Sequence, residues 1–411
     1  MKKTFLFACI SISLSISCTD PQKESGALSA IDIEGALENL TAFKVSDFGK
    51  TIRYVPLETT DDCLVGRDPN VKVLRDYIIV EANKQCLLFD KKDGRFIAEI
   101  GHIGQDPEAF SSASGMTDEG EEFLYFGRAP DNLIKYDMKG NFCGSMALDP
   151  LPLASCFLLT DSVIVGYYNL LNQFGNITLS FSDRKGALLD TMSFPNAKTT
   201  ASADNIMNIS VFTESDLYGN WSKKGAVVID YKDDKKCILN LEAKTLWRSN
   251  GDIRFKESFV DTIYSVRNRE LIPSMIFHTG KWQWPEEERT SKAHTGERIF
   301  VAYVSENSTF VFFQCIKGFY ADKPVLYNGL YHKKTGETRL ALSSNAIRDD
   351  LTDFMPFKPF SIGTSGEFVS YVEAGTIQDW LEDHPEAMHN DRLAFLKEFE
   401  EDMNPVIILV E

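Results

Sequence analysis

Four short segments of the chain repeat one pattern. They are Phe89-Asp90-Lys91-Lys92-Asp93-Gly94-Arg95-Phe96, Tyr136-Asp137-Met138-Lys139-Gly140-Asn141-Phe142, Phe181-Ser182-Asp183-Arg184-Lys185-Gly186-Ala187-Leu188 and Tyr331-His332-Lys333-Lys334-Thr335-Gly336-Glu337-Thr338. The first three glycines, 94, 140 and 186, are spaced 46 residues apart. Each copy reads as a strand ending in an aromatic residue, a polar turn closed by glycine, and a second strand, which is a β-hairpin. Another apolar strand precedes each hairpin: Tyr77 to Val80, Phe123 to Phe126, Ser162 to Val165 and Thr309 to Phe313. A unit of about four strands recurring every 40 to 50 residues is the pattern of β-propeller blades, stacked face to face around an axis.

The repeat assigns blades to about 71–104, 109–149, 152–194 and 297–343. A further blade falls within 205–280, where 216–250 is either an extra hairpin or displaced strands; two whole blades in that span would make the ring seven-bladed. The last blade joins strands at 354–373 with Pro405 to Val410 and the early strand Thr51 to Leu57. Bringing both chain ends into one sheet closes the ring and removes its free edges. The expected fold is therefore all-β, a six-bladed propeller of four-stranded antiparallel blades closed by N- and C-terminal strands. A helical insertion is expected near the C-terminus at Asn390 to Phe399, where a capping asparagine precedes apolar Leu393, Leu396 and Phe399.

The first 18 residues, MKKTFLFACISISLSISC, place Lys2 and Lys3 before an apolar run too short to span a bilayer, as in a secretory signal peptide. A cysteine after Leu14-Ser15-Ile16-Ser17 resembles a bacterial lipobox, so cleavage is expected before Cys18 and acylation on it. Residues 1–17 are then signal, 18–30 a lipidated cysteine with a polar tether, and 31–411 a single propeller domain. The whole chain carries −17, and loss of Lys2 and Lys3 takes it to −19. That balance disfavours nucleic acid as a partner, since phosphate binding needs lysine and arginine. It leaves membrane attachment to the acyl group rather than to basic residues.

Four further segments, taken in order, resemble the six-bladed β-propeller lipoproteins of the Bacteroidota, NHL- or TolB-like propellers of unassigned function. They are Val55-Pro56-Leu57-Glu58-Thr59-Thr60, Gly101-His102-Ile103-Gly104-Gln105-Asp106-Pro107-Glu108-Ala109-Phe110, Asp261-Thr262-Ile263-Tyr264 and Asn404-Pro405-Val406-Ile407-Ile408-Leu409. In that family the second segment runs closer to Gly-x-Gly-Gln-Gly-Pro-x-Glu-Phe, and Asp106 stands where a glycine is commoner. The resemblance implies fold and an envelope location, at the periplasmic or surface face of the outer membrane, and no substrate.

Candidate binding residues are His102, Gln105 and Glu108, on a connection between blades, and Trp282 and Trp284, whose indoles can stack on a sugar or clamp a partner. The structural alternatives are an interblade turn for the first group and a covered core edge for the second. No GxSxG elbow, HExxH, Walker loop or dinucleotide fingerprint occurs. The eight cysteines show no CxxC or metal-ligand spacing. No catalytic residue, metal or other cofactor is therefore assigned. The expected role is a monomeric, non-catalytic binding module for a protein, peptide or glycan. The alternative is a metal-dependent hydrolase or lyase whose groups converge in the axial channel from separate blades.

Overall fold

The computed structural model of the protein describes residues 28–82, 84–168, 176–194, 206–212, 226–232, 236–240, 245–249, 251–257, 260–285, 298–319 and 324–411. Cys18 and the signal segment lie outside these.

Six sheets form the ring. Blade 1 is Asn70–Val73, Tyr77–Ala82, Gln85–Asp90 and Phe96–Glu99. Blade 2 is Gly115–Thr117, Phe123–Arg128, Asn132–Asp137 and Phe142–Ala147. Blade 3 is Cys156–Leu159, Val163–Tyr167, Leu179–Asp183 and Leu188–Met192. Blade 4 is Leu246–Ser249, Asp252–Phe255, Thr262–Arg267 and Glu270–His278. Blade 5 is Ile299–Glu306, Phe310–Lys317, Val325–His332 and Glu337–Leu342. Blade 6 runs Ser361–Ile362, Phe368–Val372, Val406–Val410 and then Ile52–Pro56, so the early strand supplies its outermost position.

The hairpin repeat has a common chemical basis. Its aromatic residues Phe89, Tyr136, Phe181 and Tyr331 are all buried. In the first three copies an aspartate closes the turn by accepting backbone N–H groups: Asp90 from Lys92, Asp137 from Lys139 and Asn141, Asp183 from Lys185 and Ala187. His332 takes that place in the fourth, its Nδ1 accepting from Thr335 N. Gly94 and Gly186 have φ of 75° and 92°. A Cβ on Gly94 would stand 1.9 Å from the Pro56 carbonyl oxygen, and one on Gly186 1.8 Å from that of Ala147, so these turns abut the neighbouring blade and exclude any side chain.

Apolar side chains alternate to both faces of a strand, as blade stacking requires. Ile78 and Val80 pack with Val369, Ile407 and Leu409 of blade 6, while Ile79 between them packs with Leu124 and Phe126 of blade 2. Blade 3 meets blade 4 directly through Val165, Leu179 and Phe181 against Leu246, Ile253 and Phe255. That contact settles the count at six. Among the described residues, Ile206–Phe212, Ala226–Tyr231 and Lys236–Asn240 pair only with one another, as a three-stranded sheet inserted in the chain between blades 3 and 4. The inner strand of blade 4 is Leu246–Ser249, inside the span left open by the sequence.

Two features differ from expectation. Ser29–Asp32, half of it in the expected tether, adds a fifth strand to blade 4, parallel to Glu270–His278. The C-terminal insertion begins earlier than the capping pattern indicates, with an α-helix at Ala374–Asp383. The Asn390 cap holds as expected: its side chain accepts from Arg392 N at the start of a 3-10 helix, Asp391–Glu398, with Leu393 and Leu396 buried.

Two of the segments that carried the family resemblance meet at the closure. Asn404, 3 % exposed, donates through Nδ2 to the carbonyls of Glu58 at 2.6 Å and Cys63 at 2.9 Å, and its Oδ1 accepts from Val65 N at 2.8 Å. Its own N–H reaches the Thr59 hydroxyl at 2.9 Å.

Candidate binding groove

In every blade the chain leaves the inner strand through a turn on one face of the ring. On that face blades 1, 5 and 6 border a cavity of about 1000 Å³, within the range of pockets that hold small ligands. Blade 1 contributes Arg75, Asp76 and Tyr77 from one turn and Asp90, Lys91 and Lys92 from another. Blade 5 contributes Asn307 to Phe310, and blade 6 Ser365 to Glu367.

The floor is an ion pair between blades 1 and 6. The Lys91 ammonium meets the Glu367 carboxylate, with the two side chains only 9 % and 1 % exposed. Arg53, from the outermost strand of blade 6, donates to the carbonyls of Lys91 at 2.7 Å and Lys92 at 3.3 Å. Lys91 N donates to Asp76 O at 3.0 Å, which ties the two turns of blade 1 together. Opposite, Asn307 Nδ2 donates to Gly366 O at 2.7 Å and joins blades 5 and 6. Asn307 Oδ1 accepts from Thr309 N and Phe310 N, so the turn is fixed by its own side chain. The groove is thus rigid at its base, while Arg75, Lys92, Ser308, Thr309 and Ser365 remain exposed on its banks.

The other buried carboxylates lie at separate blade junctions. Glu81 accepts from Lys72 at 2.5 Å, Asn70 at 2.7 Å and Gly115 N at 2.8 Å, joining blades 1 and 2. Glu306 accepts from Arg254 at 2.8 Å and Trp247 at 3.2 Å and pairs with Lys333 at 2.6 Å, joining blades 4 and 5. Asp349 accepts from the Tyr54 hydroxyl at 2.9 Å and from the backbone of Leu351, Thr352 and Phe354. Among the described residues no three His, Cys, Asp or Glu side chains come together to hold a metal ion.

The residues singled out from sequence lie elsewhere. His102, Gln105 and Glu108 precede an inner strand, so they sit on the opposite face of the ring, all exposed. His102 Nε2 and Asp106 Oδ2 are 2.7 Å apart, and the histidine hydrogen bond holds the Asp106 carboxyl below its usual range. Asp106 Oδ1 also accepts from Glu108 N at 3.1 Å. Arg128 donates to the carbonyls of Pro107 at 2.8 Å and Gln105 at 3.4 Å, and the Tyr136 hydroxyl to that of Glu108 at 2.5 Å. Asp106, Arg128 and Tyr136 together tie this turn.

Trp284 is 3 % exposed, so its ring faces protein and is not offered to a ligand. Trp282 is half-buried, with the ammonium groups of Lys281 and Lys317 4.4 Å and 5.0 Å from its ring centroid. Neither borders the groove. Lys91 and Lys92 stand inside the hairpin repeat, where the local pattern indicates only a polar turn; nothing in the sequence indicates that three turns so far apart in the chain meet.

The sequence matches the family described as Domain of unknown function (DUF4934) over residues 28–411. Among solved structures it is similar to a "Putative exported protein" from Bacteroides fragilis, with 15 % identity and a TM-score of 0.61, covering 93 % of this chain and 99 % of that one. It is also similar to a member of the duf4221 family from Bacteroides vulgatus, with 10 % identity and a TM-score of 0.41, covering 88 % and 96 %. No curated protein matches. At 15 % identity the likeness to the exported protein carries the fold alone.

Proposed function

The chain belongs to the DUF4934 family, and from that premise we propose that it is a lipid-anchored envelope propeller that binds a protein, peptide or glycan without transforming it. The observation that carries this reading is the groove shared by blades 1, 5 and 6. Its base is fixed by the Lys91–Glu367 pair and by Asn307, and its exposed banks hold polar groups from three separate turns. Rigid scaffolds with variable polar turns are suited to recognition. The buried carboxylates, by contrast, are distributed among different junctions and engaged with cations or backbone N–H groups.

Export and acylation at Cys18 follow from the lipobox-like sequence. An acyl chain with further acylation gives stable attachment, each buried methylene contributing about 0.8 kcal/mol.

Two measurements test the reading. Full-length protein screened against peptide and glycan libraries is expected to yield a ligand that Ser365→Trp displaces, because the indole fills the groove from an exposed position. Turnover of that ligand, or ligands indifferent to Ser365→Trp, would refute the binding assignment. In cells, acyl labelling is expected to disappear in Cys18→Ala, and labelling that persists would refute the anchor.

A further inference from the structure

The N-terminal strand fixes the point from which any tether must run. Ser29 to Asp32 pair in parallel with Met275 to His278 on the outside of blade 4. Followed backwards, the chain therefore heads towards Ser274 and Ile272, with Leu28 the first described residue. Cys18 precedes Leu28 by ten residues, and that length fully extended reaches about 36 Å at most. An acyl group on Cys18 thus holds the outer edge of blade 4 within that distance of a bilayer, while blade 1 stands opposite in the ring of six.

The edge beside this point carries uncovered apolar side chains. Leu28 is 38 % exposed, Ile272 43 % and, on the outermost strand of blade 3, Leu189 46 %. Leu189 and Ile272 are drawn to the same side of the ring: Asp190, next to Leu189, lies 4.0 Å from Arg269, three residues before Ile272. Pro273, which follows Ile272, is exposed as well. Of the ten large apolar side chains exposed among the described residues, these three and Met207 and Ile209, on the sheet inserted in the chain before blade 4, make half. Single exposed apolar residues are ordinary on a protein surface, but several gathered at one place mark a contact.

The possible occupants of this edge differ in what they need. A partner or second copy that adds a strand needs a row of free backbone N–H and C=O groups. Pro273 has no N–H, and the ladder is irregular there, its register shifting between Ile263 and Tyr264, the residue opposite Pro273. Docking by charge needs ions of one sign without partners. Here Arg267 is held by Asp252 at 2.5 Å, Arg269 faces Asp190, and Glu270 stands opposite Arg267. A lipid surface needs neither feature: it takes aliphatic side chains into its headgroup boundary, and the tether brings it to this edge.

We infer that the outer edge of blade 4, with Leu28 and Ile272 and with Leu189 from blade 3, rests on the lipid surface to which Cys18 is tethered. This depends on the acylation of Cys18 proposed above and adds the face of the ring that meets the bilayer. The groove is shared by blades 1, 5 and 6, so its centre lies two blades round from the contact and stays open to water.

The test uses acylated full-length protein in phosphatidylcholine vesicles with and without brominated acyl chains. A bimane label is placed on Ile272→Cys in a Cys143→Ser background, with Cys143→Ser alone as the blank. The reference is the same label on native Cys143, exposed on the outermost strand of blade 2. Brominated lipid is expected to quench the label at 272 about twofold or more beyond that at Cys143, because only the first meets the acyl boundary. The difference should persist at high salt, since the contact is apolar. Adding Leu28→Glu and Leu189→Glu should abolish it without a change in melting temperature, both positions being exposed. Equal quenching at 272 and Cys143 overturns the inference, and so does quenching indifferent to the two glutamates. Shielding of 272 that rises with protein concentration and ignores vesicles would make the edge a contact between copies and overturn it as well. Protein that is acylated and floats with vesicles but fails these tests keeps Cys18 as the anchor and removes only the face; acyl labelling that persists in Cys18→Ala removes both.

Discussion

Asn404→Ala removes the side chain that ties the last blade to the segment following its outermost strand. Three hydrogen bonds go with it, at 2.6, 2.9 and 2.8 Å, while the bond from its own N–H to Thr59 survives. At about 1 kcal/mol net for each bond the loss is about 3 kcal/mol. Unfolding entropy of about 2.1 cal/mol/K per residue over roughly 380 residues gives about 0.8 kcal/mol per degree, so the melting temperature should fall by about 4 °C. Asn404→Asp separates the donors from the acceptor. The carboxylate still accepts from Val65 N but turns a buried charge toward two carbonyl oxygens, so at neutral pH it should be less stable than the alanine variant, and partly recovered in acid as it protonates and regains a donor. Thermal unfolding followed by circular dichroism reads the loss, and amide exchange in Val406–Val410 and Ile52–Pro56 reads its location. A change in stability below about 0.5 kcal/mol for Asn404→Ala, or faster exchange spread evenly over all blades, would refute the closure argument.

Breaking the groove floor on one side, as in Lys91→Met, leaves the Glu367 carboxylate buried without its partner and should cost about 3–5 kcal/mol; adding Glu367→Leu should restore most of it, and strictly additive losses would contradict the coupling. Burial raises the Asp350 carboxyl, but hydrogen bonds from the Ser46 hydroxyl and N–H and the nearby Lys44 ammonium outweigh it and bring it from 3.8 to about 2. Because the folded value is the lower one, the contribution is complete above pH 3.8 and is lost as pH falls through about 2. Protection of the Ser46 amide should fade in that window and be reduced at all pH values in Asp350→Asn; identical acid profiles for the two proteins would contradict it. Burial pushes the Cys315 thiol to about 12 and also raises that of Cys86, whereas Cys143 is exposed. Mild alkylation of native protein should modify Cys143 and spare the other two, and modification of Cys315 before unfolding would contradict its burial.

The amino-acid sequence determined the parts of this protein that depend on neighbours along the chain. The repeated hairpins with an aromatic strand end and a glycine-closed polar turn, the apolar strand Tyr77 to Val80, and the Asn390 cap are local chemistry, and each was legible because turn geometry and strand periodicity act over a few residues. The terminal strands were legible as well, since a ring of sheets needs its edges closed. Tertiary structure decided what depends on distance in space. It placed Leu246–Ser249 rather than 206–240 as the inner strand of blade 4, through direct packing of Phe181 and Phe255. It put Trp284 in the interior and His102 on the opposite face from the groove. It also brought Lys91 to Glu367 across 276 positions of sequence. A buried ion pair between blades leaves no mark on local pattern, because the separation that matters to its energy is measured through the folded ring and not along the chain.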